Sequence, residues 1–507
     1  MTYLRRADTS PLAAPSSLRM KASVAVLTLA LAGCAVGPDY KKPAAPDVSS
    51  YTAAPLSNTV ATPYVTGGDA QHFTEGGDLS ADWWTLFHSK PLDDLVVLAL
   101  TNNHDLKAAQ AALKAARENT AAGRGAYFPN VSASFSATRE QDPRGALAPV
   151  PSNNAFLYNL FTPQVSVSYV PDVFGLNRRT VESLEAQEKS VRFQMFATYT
   201  TLMSHVVVTA IQEASTQAQI DATHQLIDID TKMVDIIEYQ LKKGYASGLD
   251  LAAQKSQLAQ TVASLPPLMK QLAQQHDQLA VLTGRFPSQA APENITLASL
   301  QLPQDIPVSL PSTLVEQRPD VRQAESNLHA ASAQIGVAVA NRLPNIQLTA
   351  TAGSTALAMS QLFTPGTEFW NIGAALTAPI FQGGTLLHEE RAARANYTQA
   401  AEQYRSTVLQ AFQNVADTLT ALQQDAEALK AAANALDAAK VTLDLSQRQY
   451  KDGYAGYLSL LTAEQAYQQA VIALVQAQTD RYADTAALFQ ALGGGWWHHT
   501  DLAKDQG

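Results

Sequence analysis

Residues 408–450 read VLQAFQNVADTLTALQQDAEALKAAANALDAAKVTLDLSQRQY. Val408, Val415, Leu422, Leu429, Leu436, Leu443 and Tyr450 recur every seven residues, the coiled-coil period of 3.5 residues per turn. At an offset of 209 residues upstream stand Tyr199, Val206, Glu213, Ile220, Ile227, Val234 and Leu241, an apolar row broken only at Glu213. No proline occurs between Pro171 and Pro266, or after Pro379. A helix over residues 177–241 runs on the order of 100 Å at 1.5 Å per residue, longer than an ordinary domain is wide.

The same offset relates Gly244-Tyr245-Ala246 to Gly453-Tyr454-Ala455, and Leu282-Thr283-Gly284 to Ala491-Leu492-Gly493. Asp105-Leu106 and Asp320-Val321 are each followed 24 residues on by Pro-Asn, at Pro129-Asn130 and Pro344-Asn345. The chain is therefore written twice, over residues 91–300 and 301–495. Each copy reads helix, two strands, very long helix, tight turn, helix. Lys243-Gly244 and Asp452-Gly453 fill the turns, glycine suiting the left-handed position that ends a helix. The return helices begin near Leu249 and Leu458 and end near Thr283 and Leu492.

Val131, Ala133, Phe135 and Ala137 alternate with polar residues, as do Val165, Val167 and Tyr169. The second copy offers Ile346, Leu348 and Ala350, then Ile372, Ala374, Leu376 and Ala378. One apolar face over about 9–11 residues suits a tilted strand between lipid and water. Tyr127, Phe128, Phe161, Tyr169, Phe369, Trp370 and Phe381 gather at the strand ends like interfacial girdles. A soluble sheet packed on a helix is the competing reading, but no spare elements are present to cover it. An open sheet edge in hydrocarbon leaves backbone groups unpaired, and single-chain barrels begin at about eight strands. Two copies give eight strands and an interior filled by side chains; three give twelve and leave a lumen. The expected fold is an α+β membrane protein with an internal two-fold repeat. Four strands per protomer enter a homotrimeric twelve-stranded barrel, continued by coiled-coil helices as a tube.

Arg5, Arg6, Arg19 and Lys21 precede an apolar run at residues 24–32, which ends in Leu31-Ala32-Gly33-Cys34. The run is too short to span a bilayer, and a basic start before a short apolar core reads as a secretory signal over residues 1–33. Met20 is an alternative start. The run resembles a bacterial lipobox, which implies lipid attachment at Cys34, the chain's only cysteine. Ala35 rather than Asp follows, which resembles an outer-membrane address. Residues 34–90 read as a lipidated, extended segment rich in Pro, Gly, Ser and Thr.

The 507 residues carry a net charge of −10, with 46% hydrophobic and 16% charged residues. Removing residues 1–33 takes away four positive charges and Asp8, leaving −13. Such a chain is too apolar for disorder and lacks the clustered cations that nucleic acid requires. A single cysteine excludes an intrachain disulfide. Gly123-Arg124-Gly125 lacks the other glycines and the lysine of a phosphate loop and reads as a turn. No Gly-x-Ser-x-Gly elbow is present, and adjacent His498-His499 are poorly spaced for one metal. Asp228, Asp230, Thr231 and Lys232 read as a solvated helix face. Residues 496–507 form a C-terminal tail without assignment.

Cys34-Ala35-Val36-Gly37-Pro38-Asp39-Tyr40, Trp83-Trp84, Phe87, Arg318-Pro319-Asp320-Val321-Arg322 and the turn segments 244–251 and 453–461 resemble the TolC-type outer-membrane efflux factors, in their lipoprotein branch. The resemblance covers nearly the whole mature chain. It implies a homotrimeric duct whose helical part is a periplasmic α-barrel. The duct takes substrate from an inner-membrane pump, commonly proton-driven, through a periplasmic adaptor, with no chemistry and no cofactor of its own. It places the adaptor contact on Gly244, Tyr245, Gly248, Leu249, Gly453, Tyr454, Gly456 and Tyr457. Where many members carry Leu-Leu-Asp-Ala-Gln at the closed tip, this chain has Leu460-Leu461-Thr462-Ala463-Glu464. Thr462 thus replaces the acid of a gate ring. Leu458 remains as a hydrophobic constriction, with Asp250 and Asp452 as tip charges and a weak cation site. Helix-end chemistry is the competing reading of both acids. An export duct for drugs or toxic compounds is the expected function. A structural coiled-coil lipoprotein and the exit duct of a type I secretion system are the alternatives. A passive porin is disfavoured, since porin chains carry many more strands.

Overall fold

The computed structural model describes residues 35–53, 57–141, 157–289 and 295–498. The signal segment and Cys34 lie outside the described residues. A short strand, β1 (His72–Glu75), comes first. The first repeat then runs α1 (Lys90–Asn102), α2 (His104–Arg124), β2 (Asn130–Gln141), β3 (Leu157–Tyr169), α3 (Leu176–Lys242) and α4 (Gly248–Leu282). A linking strand, β4 (Asp305–Val308), leads into the second. That repeat runs α5 (Pro311–Gln317), α6 (Pro319–Ala340), β5 (Asn345–Ser354), β6 (Glu368–Thr377), α7 (Thr385–Lys451) and α8 (Tyr457–Ala491). The long helices α3 and α7 each have 67 residues, and the return helices α4 and α8 each have 35.

Local chemistry accounts for these boundaries. The backbone N–H groups of Asn177 and Arg178 donate to the Asp172 carboxylate at 2.9 and 2.8 Å, satisfying free donors at the α3 start where a negative charge is favoured. Gly244 and Gly453 turn the chain at φ +82° and +80°, the left-handed region that costs glycine nothing. Each repeat opens with two helices where the sequence suggested one. The first break is at Asn103, whose Oδ1 accepts from Leu106 N at 2.9 Å; the second is at Pro319, the first residue of α6. Gly123 and Arg124 are not a free turn either: they close α2, and a Cβ on Gly123 would meet Leu184 Cδ1 at 2.4 Å. The repeats differ inside the return helices. Pro266 and Pro267 lie within α4 and remove two ladder donors, where the 209-residue offset puts Val475 and Gln476 in α8.

The main sheet has the order β2-β3-β5-β6, every neighbour antiparallel. Register aligns Val131, Val167, Ala350 and Ile372 in one row, and Ser132, Ser166, Thr351 and Asn371 in the next. Alternation along each strand thus becomes one apolar and one polar face across all four. The apolar face is uncovered, with Trp370 77% and Ile372 76% exposed. No described helix is long and apolar enough to cross a membrane. A second sheet pairs β1 with β4 in parallel, His72 against Asp305. It lies partly within the stretch expected to be irregular.

The two compact units cut across the sequence repeats. One takes residues 35–42, 116–188 and 327–401, and the other the remaining described residues. In the first, the opening motif is clamped. Arg179 donates from Nε to Val36 O at 3.1 Å, from Nη2 to Asp39 at 2.7 Å and from Nη1 to Glu182 at 2.7 Å. Tyr40 stacks on His329 at 4.1 Å, and a Cβ on Gly37 would lie 2.4 Å from Gly336 Cα. That close approach explains the glycine.

In the second unit, Trp83 packs on Phe489 at 5.4 Å and Phe87 on Tyr482 at 6.3 Å. Arg318 donates to Ala491 O at 3.0 Å while its other nitrogens grip Asp320, so the Arg-Pro-Asp motif fastens the α5–α6 break to the end of α8. The tail is packed as far as residue 498. Trp496 stacks on Phe196 at 4.3 Å and donates to Gln317 O, while Trp497 and His498 bond to Asp78.

Arg481 is fully buried in the same unit. It donates to Gly67 O at 2.7 Å, Asp69 O at 2.9 Å and Thr59 Oγ1 at 3.1 Å, tying residues 59–71 across α8. Replacing it by Leu leaves those oxygens without their donor at a cost of about 1–3 kcal/mol per orphaned group. The expected outcome for Arg481→Leu is a lower thermal midpoint by circular dichroism in detergent. An unchanged midpoint would mean that other contacts hold the strap.

Candidate functional site

The turns joining α3 to α4 and α7 to α8 form a tip, and its surface differs sharply from its interior. Tyr245, Leu249, Tyr454 and Leu458 are exposed large side chains, while Gly244, Gly248, Gly453 and Gly456 have open space where a Cβ would stand. A groove of about 1090 Å³ lies between the α3 and α7 ends, lined by Ile229, Ile236, Tyr239 and Tyr245 on one side and Asp444 and Arg448 on the other. Tyr457 is different from its neighbours. It is buried against Met233, Ile237, Leu443 and Leu460, and its hydroxyl donates to Gln254 Oε1 at 2.6 Å. It is an internal strut, not part of the exposed contact set in which its sequence position placed it.

Of the gate residues, Thr462 is exposed and its hydroxyl donates to Leu458 O within the same helix at 2.9 Å. Asp250 is the acid of a capping box: Ser247 N donates to Asp250 Oδ2 at 2.9 Å and Asp250 N donates to Ser247 Oγ at 3.2 Å. Its charge lies at a helix start, where the free N–H groups favour it. Asp452 does not share that chemistry. It follows the last residue of α7, where the helix dipole disfavours an anion.

Beneath the surface lies a polar layer that the sequence reading missed. Asp230 is 1% exposed, which corrects its assignment to a solvated face; Asp228, Thr231 and Lys232 do face solvent. Thr261 Oγ1 donates to Asp230 Oδ2 at 2.6 Å, and Gln468 Nε2 donates to the same oxygen at 3.2 Å. Gln257 Nε2 donates to Gln468 Oε1, and Gln465 Nε2 to Gln257 Oε1, both at 3.0 Å. The layer therefore joins α3, α4 and α8. Burial pushes the Asp230 carboxyl above the usual range, and the Thr261 and Gln468 hydrogen bonds partly oppose it. Asp230 stands three residues after Ile227 and four before Val234, a helical spacing that marks the buried stripe. Among the described residues no group of three His, Cys, Asp or Glu is placed to hold a metal.

The profile of the outer membrane efflux protein family matches residues 95–285 and 310–494. The chain belongs to the outer membrane efflux protein family. It is an outer-membrane protein of efflux systems, in a family of channels that transport rather than of enzymes. The toluene efflux pump outer membrane protein TtgC of Pseudomonas putida is 29% identical over 493 residues, covering 96% of this chain and 97% of TtgC. The solved outer-membrane channel OprN is 26% identical with a TM-score of 0.78, over 91% of this chain and all of OprN. The outer membrane protein VceC of Vibrio cholerae is also 26% identical, with a TM-score of 0.77 over 82% of this chain and all of VceC. The expected architecture of paired strands and very long helices in two repeats is that of these channels.

The capping box makes a local prediction at the tip. Ser247→Ala removes a cap worth about 0.5–2 kcal/mol, so amide exchange over residues 247–251 speeds by roughly fivefold. Thr462→Ala, which removes only an intrahelical bond from an exposed side chain, leaves exchange around position 462 within about twofold.

Proposed function

We propose that three copies of this efflux protein close one twelve-stranded outer-membrane barrel and pass small toxic compounds outward through it. The observation that carries the reading is the four-stranded sheet. Its edge strands β2 and β6 have no partner among the described residues, and its apolar face is bare. In hydrocarbon such edges cost several kcal/mol per unpaired group, so β6 of one copy pairs with β2 of the next. Three copies leave a lumen where two would fill it with side chains.

The tip is the docking end for a periplasmic adaptor and its inner-membrane pump, commonly a proton-driven one. The adaptor reads the glycine-lined turns with Tyr245, Leu249 and Tyr454. Leu458 is the constriction, and Thr462 makes a ring of hydroxyls where an acidic ring would bind cations strongly. Cys34 carries a diacylglycerol that anchors the start of the mature chain. The name of the relative TtgC supports small apolar substrates. The protein works without a cofactor and catalyses no reaction.

Mass photometry of the detergent-purified protein should read three chains, and planar bilayers should show discrete conductance steps. A monodisperse monomer without conductance overturns the proposal. Cys34→Ser should lose the acyl mass on intact-protein mass spectrometry. A deletion strain should become more susceptible to aromatic solvents and lipophilic drugs, and regain tolerance on complementation.

A further inference from the structure

Glu464 is buried in α8 at 2% exposure, and neither carboxylate oxygen has a hydrogen-bond partner among the described residues. Asp230 of α3, itself buried with Oδ1 unpartnered, is the charged group that bears on it. From α4 the Gln254 amide is, among the described residues, the one donor that bears on the carboxylate; its Nε2 has no other partner and its carbonyl is taken by Tyr457. Asp250 of α4 is held by Ser247, and Tyr450 of α7 packs against Tyr457. Among the described residues no cation compensates: Lys255 of α4 pairs with Glu238 at 2.7 Å, and Lys232 of α3 faces solvent.

We infer that Glu464 is a proton-operated latch of the tip: protonated, it lets α8 pack on α3 and α4, and ionised, it drives α8 off them. An anion in this layer has one neutral amide, that of Gln254, and no cation to offset its burial, and a second carboxylate acts against it, whereas a neutral carboxyl carries no charge to bury. Burial, reinforced by the Asp230 charge and only partly opposed by the Gln254 amide, raises the Glu464 pKa to about 7. The packed state therefore holds the proton more tightly than a solvated carboxyl does. Packing is at full strength below the ordinary glutamate value, weakens as pH rises toward about 7, and levels off above it. Across that window the packed-to-loosened ratio falls on the order of 100-fold.

The inference rests on the reading of the chain as a channel with a closable tip. The test uses the full-length protein in planar bilayers, with the tip-side pH stepped from about 5 to about 8.5. Wild type should pass from mostly closed to more open as pH rises, and amide exchange over residues 456–464 should accelerate beyond the intrinsic pH effect. Glu464→Gln should form channels of the same size that stay pH-insensitive in both readouts. Asp230→Asn should keep the step but move it to lower pH. A wild type with no step, or a Glu464→Gln variant that retains it, overturns the latch while leaving the channel standing. Absence of conductance at every pH would instead strike at the channel reading itself.

Discussion

A sheet of four antiparallel strands with one continuous apolar face and two unpaired edges cannot persist alone in any solvent. Among the described residues, nothing covers the Val131–Val167–Ala350–Ile372 row in water, and nothing bonds the edges β2 and β6 in lipid. The rest of the protomer is arranged around that incompleteness. Each repeat supplies one hairpin, so duplication yields a sheet with its first and last strands at opposite edges. Self-association then satisfies both edges with the same interface. Only six residues separate the end of β3 from α3, and seven separate β6 from α7, so the strand path fixes where each long helix begins.

The long helices, the tip turns and the four membrane strands were legible because their determinants are local. A seven-residue row, a glycine after it and a two-residue alternation are visible without knowing what lies opposite. Pairings between distant segments were not legible. The parallel pair β1 and β4 joins short stretches more than two hundred residues apart, and neither has enough alternation to declare itself. Arg481 has no sequence signature, because its acceptors are backbone carbonyls of a strap. The tail read as unassigned because nothing in Trp496-Trp497-His498 names Phe196, Gln317 or Asp78 as partners.

The misreading of Asp230 has a different cause. Its position in the buried stripe was readable, but composition argued for solvent, since an aspartate is almost never fully buried unless paired. What pairs it is Thr261 from α4 and Gln468 from α8, and no spacing rule connects those three. Asp452 shows the converse. Its helix-end location was right, but the end is the wrong one for an anion to be stabilised by the backbone.

The buried stripe of the long helices is not uniform along its length. Along α7 the apolar row is fully buried at Val415, Leu422 and Leu429, contacts that are tolerant of direction and strong per residue. Behind the apolar cluster of Met233, Ile237, Leu443, Tyr457 and Leu460 at the tip, a polar layer interrupts the stripe, with Asp230, Gln257, Thr261 and Glu464 at buried positions. Asp230 and Glu464 retain unpartnered atoms, each of which costs stability that a leucine would not. Five residues beyond Thr261, Pro266 and Pro267 remove two donors from α4 alone. Local opening begins where stabilisation is smallest. The polar layer and the α4 prolines therefore mark a stretch of the hairpins, behind the tip cluster, where packing is less favourable than in the leucine row of α7.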